Sequence, residues 1–269
     1  MKKKFKLGVI GAGFMSTAII QGVIRSGIVK NSEIIVSDVS EDALNRMKNN
    51  CVSVTLDNTT VCNNSEFVLF AVKPQSFSSV ALGIKECECT KYISIMAGLK
   101  KDKIKACFSK EIKVARCMPN TPCSISSGAV GIDISDFTDS NDVDFVKSVF
   151  SSLASVSFVD ESLLGAVTGV SGSSPAYFYL FLKGIVEAGV KFGLTEEDSL
   201  KLATNTMIGA GKMVLNNPDK SIDDLINAVC SKGGTTIEAV NHYKESGLSE
   251  ITYNAIEKCI KRSEELEKL

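Results

Sequence analysis

Two glycine-rich segments of this 269-residue chain have the composition and spacing of anion-binding turns. In the first, the short apolar run Leu7–Ile10 precedes Gly11–Gly13, and a helical pattern of apolar residues follows. This order of strand, glycine turn and helix is typical of a dinucleotide-binding site. Gly11 permits the tight turn, Gly13 lets a pyrophosphate approach the backbone, and the helix start offers free N–H groups. Ser16 takes the third position of the fingerprint and is small enough for close packing of helix against strand.

The second segment is Ser231–Thr236, which reads SKGGTT and lies between two predicted helices. Paired glycines followed by two hydroxyl residues at a helix start form a nest of backbone N–H groups suited to a carboxylate. An ordinary turn between helices, with a threonine cap, explains the same residues equally well. Val167–Tyr177 (VTGVSGSSPAY) is likewise rich in glycine and serine where a helix begins.

Side chains that could act as strong proton donors are scarce. His242 is the sole histidine and sits in a polar helical stretch, where we interpret it as a surface residue. Many alcohol-forming dehydrogenases need a histidine or lysine to handle the hydroxyl proton. A substrate that already carries its proton, such as a cyclic iminium, needs no such group. The pattern therefore favours reduction of a C=N bond by a nicotinamide oxidoreductase.

Up to residue 160, the predicted elements that position the first glycine-rich segment are mainly strands. Phe67–Val72 is a continuous apolar run, as expected of a strand buried on both faces of a parallel sheet. Ligands bind at the carboxyl edge of such sheets, so the residues after each strand are candidate contacts. We predict an α/β fold in which residues 1–160 form a Rossmann-like doubly wound sheet. The other strands are predicted at Glu33–Asp38, Tyr92–Met96, Ile112–Ala115, Ala129–Ile132 and Ser155–Val159.

Asp38, at the end of the second predicted strand, has two interpretations. An acid at this position commonly binds the ribose hydroxyls and favours NAD(H) over NADP(H). Asp38 could equally cap the following predicted helix, Glu41–Asn49. The hydroxyls of Ser37 and Ser40 flank the position and would suit a 2′-phosphate.

The segment Arg116–Pro122 (RCMPNTP) follows the strand predicted at Ile112–Ala115. Its two prolines flank Asn120 and Thr121 and predict a rigid, non-helical turn. This turn either has only a structural role or contacts the cofactor or substrate.

After Asp160 every segment has a helical pattern, and we predict a second, all-helical domain at residues 161–269. Its first helix is apolar on all sides, as Tyr177–Leu182 shows. A helix that is apolar all round is buried, which in so small a domain favours a second subunit as the cover. We therefore expect a homodimer interwoven through this half. Helix caps are predicted at Ser173–Ser174, Thr195, Ser221 and Ser249, the last preceding a helix at Glu250–Leu266.

The composition excludes several classes of partner. Hydrophobic residues make up 44% of the chain, enough for a full core, and the formal net charge of −1 gives no electrostatic reason to expect nucleic acid or an anionic membrane. No apolar run approaches the about 18 residues that span a bilayer. The nine scattered cysteines form no C-x-x-C motif, which argues against a metal site and indicates reduced thiols in a cytoplasmic protein.

Five motifs follow one another along almost the whole chain: IGAGFM at Ile10–Met15, AVKP at Ala71–Pro74, MPNTP at Met118–Pro122, VTGVSGSSPAY at Val167–Tyr177 and KGGTTIEA at Lys232–Ala239. In this order and spacing they resemble the pyrroline-5-carboxylate reductase family. The resemblance implies a Rossmann domain with a helical dimerisation domain, NADP(H) or NAD(H) as cofactor, and homodimers that can assemble into a decameric ring. It also implies reduction of L-1-pyrroline-5-carboxylate to L-proline, the last step of proline biosynthesis, by hydride transfer to the ring C=N carbon.

The same resemblance implies roles for individual residues. Thr236 matches the family threonine whose hydroxyl contacts the ring nitrogen, and it is the catalytic candidate. Glu161 matches an acid near the substrate. The remaining substrate-binding candidates are Ser231, Gly233, Gly234 and Thr235, beside Thr236. The cofactor-binding candidates are Ile10, Gly11, Ala12, Gly13, Phe14, Met15, Ser37, Asp38, Asn58, Ala71, Val72, Lys73, Pro74, Met96, Ala97, Gly98 and Asn120.

Three residues depart from the family pattern. Lys232 replaces a proline before the two glycines, which should loosen the nest or add positive charge beside the carboxylate. Ser174 replaces a glycine and is expected to be tolerated as a cap. Asp38 would repel a 2′-phosphate, which puts the family's preference for NADPH in doubt.

Two alternatives remain open. One is a related Rossmann imine or β-hydroxyacid reductase with another small substrate; a β-hydroxyacid enzyme would need a catalytic lysine such as Lys183, but its glycine-rich companion motif is missing. The other is a nucleotide-sensing binding protein without catalysis. It predicts an eroded substrate loop, whereas Gly233–Thr236 is intact.

Overall fold

The computed structural model describes residues 3–268, which form two compact units. The first unit contains the chain up to Ser173 together with the chain from Cys259 onward, and the second contains Ser174–Lys258. No helix within the described range is both long and apolar enough to span a bilayer. All nine cysteines are free thiols.

Within the described residues, one sheet of eight strands forms the centre of the first unit. Its order is β3-β2-β1-β4-β5-β6-β7-β8, so the direction of winding reverses between β1 and β4. Neighbouring strands are parallel, apart from the antiparallel pair β6 and β7. This topology confirms the predicted doubly wound Rossmann-like fold. The strands are β1 Phe5–Ile10, β2 Ile34–Ser37, β3 Ser53–Thr55, β4 Ser65–Phe70, β5 Lys91–Ser94, β6 Lys113–Pro119, β7 Gly128–Asp133 and β8 Ala154–Phe158.

Both units contain helices. Those of the first unit are α1 Phe14–Arg25, α2 Glu41–Lys48, α3 Asn58–Asn64, α4 Phe77–Ile84, α5 Lys101–Lys105, α6 Ser140–Ser151 and α7 Leu164–Val167. Those of the second unit are α8 Ser174–Lys191, α9 Glu196–Asn216, α10 Ile222–Val229 and α11 Thr235–Glu245. The last helix, α12 Leu248–Lys268, begins in the second unit and ends in the first.

Apolar cores cover both faces of the sheet. In β4, Phe67 and Leu69 belong to one core, and Val68 and Phe70 belong to the other. Successive side chains of a strand point to opposite faces, so a strand buried on both faces must be apolar at every position. This explains the continuous apolar run from which the strand was predicted.

Two local predictions need correction. The segment Arg116–Pro122, predicted as a rigid non-helical turn, differs in two parts: Arg116–Pro119 continue β6 by pairing with the antiparallel strand β7, and a 3-10 helix, Thr121–Ile125, begins after Asn120. Helix α12 begins at Leu248, so Ser249 lies inside it and is not its cap. The short edge strand β3 was not predicted. In contrast, the caps at Thr195 and Ser221 are confirmed, since each hydroxyl accepts a hydrogen bond from a backbone N–H three residues on.

The two compact units divide later than the boundary expected at residue 160. The short helical segments after Asp160 pack on the sheet: Leu164 is buried, and an added Cβ at Gly131 in β7 would lie 2.7 Å from a methyl group of Val167. A change from strands to helices therefore does not mark the edge of the compact unit. The return of α12 to the first unit has no signal in local sequence pattern.

The second unit exposes large apolar side chains. In α8, Phe178 and Leu180 are 58% and 72% exposed, and in α9 Leu215 is 80% exposed. Because apolar side chains lie on every side of these helices, the sequence pattern predicted burial on every side. Within one chain, many of these side chains contact solvent.

An ion cluster joins α5 to the segment after β7. Lys101 Nζ lies 2.8 Å from Asp133 Oδ1, 2.6 Å from Ser135 Oγ and 3.2 Å from Asp136 Oδ1, and the Lys101 and Asp133 side chains are nearly fully buried. Burial of Asp133 acts to raise its pKa, but the hydrogen bonds from Lys101 and Ser135 outweigh it and hold the pKa below its ordinary value. Burial likewise acts to lower the pKa of Lys101, and its two carboxylate partners raise it instead.

We expect Lys101→Met to lower the free energy of unfolding by about 3 kcal/mol at neutral pH, because it leaves buried carboxylates without their cation. The carboxylate pKa is lowered on folding, so this stabilisation is present above about pH 4 and is lost as the pH falls through the folded-state value. Urea unfolding of both proteins at pH 7 and pH 3 should show the difference shrinking in acid.

Lys105→Met is the matched control, since Lys105 is about one-third exposed and contacts only the Asp136 carboxylate among the cluster. It should cost less than about 1 kcal/mol. Equal losses in the two variants, or a loss for Lys101→Met that does not change with pH, would contradict this account of the cluster.

Candidate active site

Gly11 brings the end of β1 against the end of β4. Its φ of +104° is in the region that favours glycine, and its N–H donates to Ser37 O at 2.8 Å. An added Cβ would lie 2.6 Å from Ala71 O, closer than real Cβ atoms come. The turn therefore requires glycine at this position for both conformation and space.

The start of α1 is open above Gly13. Gly13 is the N-cap of this helix in an extended conformation, no described side chain caps the helix, and an added Cβ would meet nothing within 4 Å. The first N–H groups of α1 are therefore free for an anion. A cavity of about 350 Å³ adjoins the turn, lined by Ala12, Gly13, Phe14, Thr17, Ala18, Gln21, Arg46 and Ser124. This combination of an uncapped helix start and free space fits the pyrophosphate of a dinucleotide.

Asp38 fastens the glycine turn to the end of β2. Its Oδ2 accepts a hydrogen bond from Ala12 N at 2.6 Å, and its Oδ1 accepts one from Ser40 N at 2.8 Å. Helix α2 is capped by Ser40, whose Oγ accepts from Ala43 N. The interpretation of Asp38 as the helix cap is therefore wrong, and its carboxylate lies at the glycine turn instead.

The other cofactor candidates follow neighbouring strands at the same edge of the sheet. Ser37 at the end of β2 donates from its Oγ to Asn58 Oδ1 at 2.7 Å, which joins β2 to the start of α3. Ala71–Pro74 follow β4 and Met96–Gly98 follow β5. Lys73 and Ala97 are exposed, whereas Met96 and Gly98 are buried. The sheet thus brings together residues that are far apart along the chain.

Asn120 holds the loop after β6 in place. Its Oδ1 accepts from Ala129 N at 3.0 Å, and its Nδ2 donates to Ser171 O at 3.2 Å. Ser171 belongs to a π-helical turn, Thr168–Gly172, in the motif that the sequence singled out as rich in glycine and serine. Turns of this kind are frequent at functional sites. The side chain of Asn120 therefore connects two motifs of the first unit.

Glu161 lies in an ion cluster of the first unit. Its Oε1 accepts from Lys101 N at 2.7 Å and from Arg116 Nη1 at 3.2 Å. Arg116 is 4% exposed, and its Nη2 donates to Glu267 Oε1 at 2.8 Å. Neither Arg116 nor Glu267 is among the site residues predicted from the sequence. An arginine within an apolar strand was a usable signal, since a buried charge needs partners, but its partners could not be named.

The SKGGTT segment lies in the second unit. Gly233 has a φ of +70°, and Gly234 is the N-cap of α11 and donates from its N to Ser231 O at 3.0 Å. An added Cβ at Gly234 would clash with the Ser231 side chain. Thr235 and Thr236 are exposed at the first turn of α11, which no described side chain caps. The positive φ of Gly233 and the uncapped start of α11 are compatible with an anion-binding turn and equally with an ordinary turn between helices.

Both halves of the chain match known families. Residues 6–98 match the family described as NADP oxidoreductase coenzyme F420-dependent, and residues 161–266 match pyrroline-5-carboxylate reductase dimerisation. The chain is 34% identical to the pyrroline-5-carboxylate reductase of Methanosarcina acetivorans and 33% identical to that of Haemophilus influenzae, and each comparison covers 98% of both chains. The chain belongs to the pyrroline-5-carboxylate reductase family.

Solved structures agree with this membership. A pyrroline-5-carboxylate reductase from Coxiella burnetii superposes with a TM-score of 0.91 over 100% of both chains, at 30% identity. A Plasmodium falciparum pyrroline carboxylate reductase with NADP bound has a TM-score of 0.87 at 28% identity, and the match covers 99% of this chain and 100% of that one. The predicted architecture, a Rossmann-like sheet with a helical dimerisation domain, is confirmed.

The two glycines of the turn should respond differently to an added methyl group. Gly11→Ala should lower the free energy of unfolding by about 3 kcal/mol, because its Cβ meets Ala71 O at a positive φ. Gly13→Ala should leave stability within about 0.5 kcal/mol but weaken binding of the reduced cofactor about tenfold by occupying the pyrophosphate's approach. Thermal unfolding and calorimetric titration measure both effects. A Gly13→Ala protein with unchanged affinity would place the pyrophosphate elsewhere.

Proposed function

We propose that this chain is an oxidoreductase that reduces L-1-pyrroline-5-carboxylate to L-proline with NAD(P)H, by hydride transfer to the ring C=N carbon. The observation that carries the proposal is full-length similarity to curated pyrroline-5-carboxylate reductases, and the glycine turns with uncapped helix starts before α1 and α11 support it. The reaction is the last step of proline biosynthesis. Loss of absorbance at the reduced-nicotinamide band, on mixing the protein with pyrroline-5-carboxylate and NADPH or NADH, tests it. Folded protein that oxidises neither cofactor would refute it.

The glycine turn and the neighbouring strand ends are proposed to hold the cofactor. Free N–H groups at the start of α1 would bind the pyrophosphate, and Ala71–Pro74 and Met96–Gly98 would line the path toward the nicotinamide. A reduced nicotinamide bound there supplies the hydride. Asn120 anchors the adjacent loop through Ala129 and Ser171, which supports a role in shaping the nicotinamide end of the site.

The start of α11 is proposed to hold the substrate. The N–H groups around Gly233–Thr236 suit the substrate carboxylate, because they are uncapped and lie at the positive end of a helix dipole. The Thr236 hydroxyl would accept a hydrogen bond from the protonated ring nitrogen, with Thr235 beside it. Lys232 is exposed at this nest and adds positive charge in place of the family proline. Glu161 remains a proposed substrate neighbour, and its carboxylate is already bound by Arg116 and the Lys101 amide.

A β-hydroxyacid reductase is not favoured. Its catalytic lysine would have to be Lys183, whose side chain is 70% exposed and pairs with Glu187 one turn later in α8. An imine as substrate needs no such lysine, since its nitrogen can arrive protonated. The nucleotide-sensing alternative is likewise not favoured, because it predicts an eroded substrate loop and Gly233–Thr236 is intact.

A cytoplasmic homodimer through the helical domain is proposed as the working form. The exposed apolar side chains of α8 and α9 support it, as does the match of residues 161–266 to a dimerisation family. Contiguous apolar surface of this kind marks an interface. A decameric ring of such dimers is the larger assembly that the family resemblance implies, and light scattering of the purified protein distinguishes the two.

Thr236→Ala should lower kcat about 100-fold while leaving the dissociation constant of the reduced cofactor within about twofold, because the lost hydroxyl serves only the substrate. Thr236→Ser, which keeps the hydroxyl, is the matched control and should retain most of the activity. Steady-state kinetics and cofactor titration give the two quantities. Loss of cofactor binding in Thr236→Ala would contradict the placement of this residue at the substrate.

Asp38→Ser should raise the ratio of kcat/KM for NADPH to that for NADH by about tenfold, since it removes a negative charge from the place where a 2′-phosphate would lie. Asp38→Asn separates charge from geometry, because its amide oxygen can still accept from Ala12 N or Ser40 N. A ratio that shifts equally in both variants assigns the effect to charge. A ratio that shifts in neither would show that Asp38 only supports the glycine turn.

A further inference from the structure

We infer that the last turn of α12 positions the cofactor loop Met96–Gly98, and that Glu267 is the residue through which it does so. This inference rests on the proposed cofactor site. None of the cofactor motifs contains Glu267, which lies far from all of them in sequence.

The first observation is close packing of α12 on the loop. Gly98 is buried with a φ of +70°, and an added Cβ would lie 3.0 Å from Leu266 Cβ and 3.5 Å from the Leu266 carbonyl carbon. The loop backbone therefore lies directly against the end of the helix. Glycine at position 98 is required both by its conformation and by this contact.

The second observation is the charge pairing that fixes the helix end. Glu267 Oε1 lies 2.8 Å from Arg116 Nη2, and Glu267 Oε2 lies 3.4 Å from Lys100 Nζ. Lys100 follows the loop by two residues, and Arg116 lies in the neighbouring strand β6. One carboxylate thus binds the loop's flank and the adjacent strand together.

The third observation is the burial of these groups. The side chains of Arg116 and Glu267 are 5% and 12% exposed, so their interaction is only weakly screened by water. Arg116 also binds Glu161, whose carboxylate accepts from the N–H of Lys101. The network therefore also holds the backbone at Lys101, so the C-terminal end of the loop is fixed from Gly98 to Lys101.

A loop held this way presents its backbone to the cofactor in one conformation before the cofactor arrives. Fixing a binding loop in advance increases affinity, because less conformational entropy is lost on binding. Removing the Glu267 charge should loosen the loop and affect cofactor binding first. Substrate held by the nest at α11 makes no use of this loop in the proposed site, so its KM is the quantity expected to change least.

The test compares Glu267→Gln with Glu265→Gln in the intact protein. Glu265 pairs with Arg262 on the exposed side of the same helix, at 2.6 Å and with both side chains more than half exposed, so it controls for loss of a charge in α12. Binding of NADH and NADPH is measured by calorimetry, and KM is measured for cofactor and for pyrroline-5-carboxylate. Glu267→Gln should raise the cofactor dissociation constant about fivefold, with less than about a twofold change in KM for the substrate. Glu265→Gln should match the unmodified protein in both.

Leu266→Gly provides a second variant that keeps every charge and removes the Cβ that lies against Gly98. It should also weaken cofactor binding, and Glu267→Asp should restore part of the affinity lost in Glu267→Gln. Unchanged cofactor affinity in both Glu267→Gln and Leu266→Gly would overturn the inference and leave the cofactor site standing. Unmodified protein that binds neither NADH nor NADPH would overturn the cofactor site itself, and this inference with it.

Discussion

The first unit depends on the approach of one glycine to one carbonyl group. Gly11 lies so close to Ala71 O that no side chain fits between them, and this contact brings the ends of β1 and β4 together where the strand order reverses. Asp38 then ties the next residue, Ala12, to the end of β2. The parallel sheet, the uncapped start of α1 and the candidate cofactor contacts all depend on this arrangement. A cofactor would thus meet a surface whose backbone is already fixed by the fold.

Much of this could be predicted because it is local in the sequence. The run Phe67–Val72 predicts a strand buried on both faces, and the hydroxyls of Thr195 and Ser221 predict helix starts that the structure confirms. Each of these signals is complete within a few residues. The SKGGTT segment is of the same kind, since its left-handed glycine and its helix start are adjacent in the chain.

What could not be predicted depends on partners that are distant in sequence. The local sequence predicts that Arg116 starts a turn. In the structure, Arg116 pairs with β7 and its charge is neutralised by two carboxylates, those of Glu161 and Glu267. Asp38 has a short polar side chain that could cap a helix, and only the position of the Ala12 N–H decides otherwise. Ser249 is not the cap because α12 begins one residue earlier, at Leu248. Local propensity describes one segment at a time, whereas the conformation of these residues depends on contacts with several segments.

The division of the chain also has a consequence for its synthesis. The first unit is interrupted after Ser173 and completed only by the segment that starts at Cys259. All eight strands therefore emerge from the ribosome long before Glu267 does. During that interval only one of the two carboxylates that pair with Arg116, that of Glu161, has been synthesised. Domains generally fold as units, the N-terminal one first, as they emerge. The first unit is therefore translated first but completed last, and a nascent chain stalled within the second unit would carry all eight strands in a first unit that still lacks its C-terminal segment.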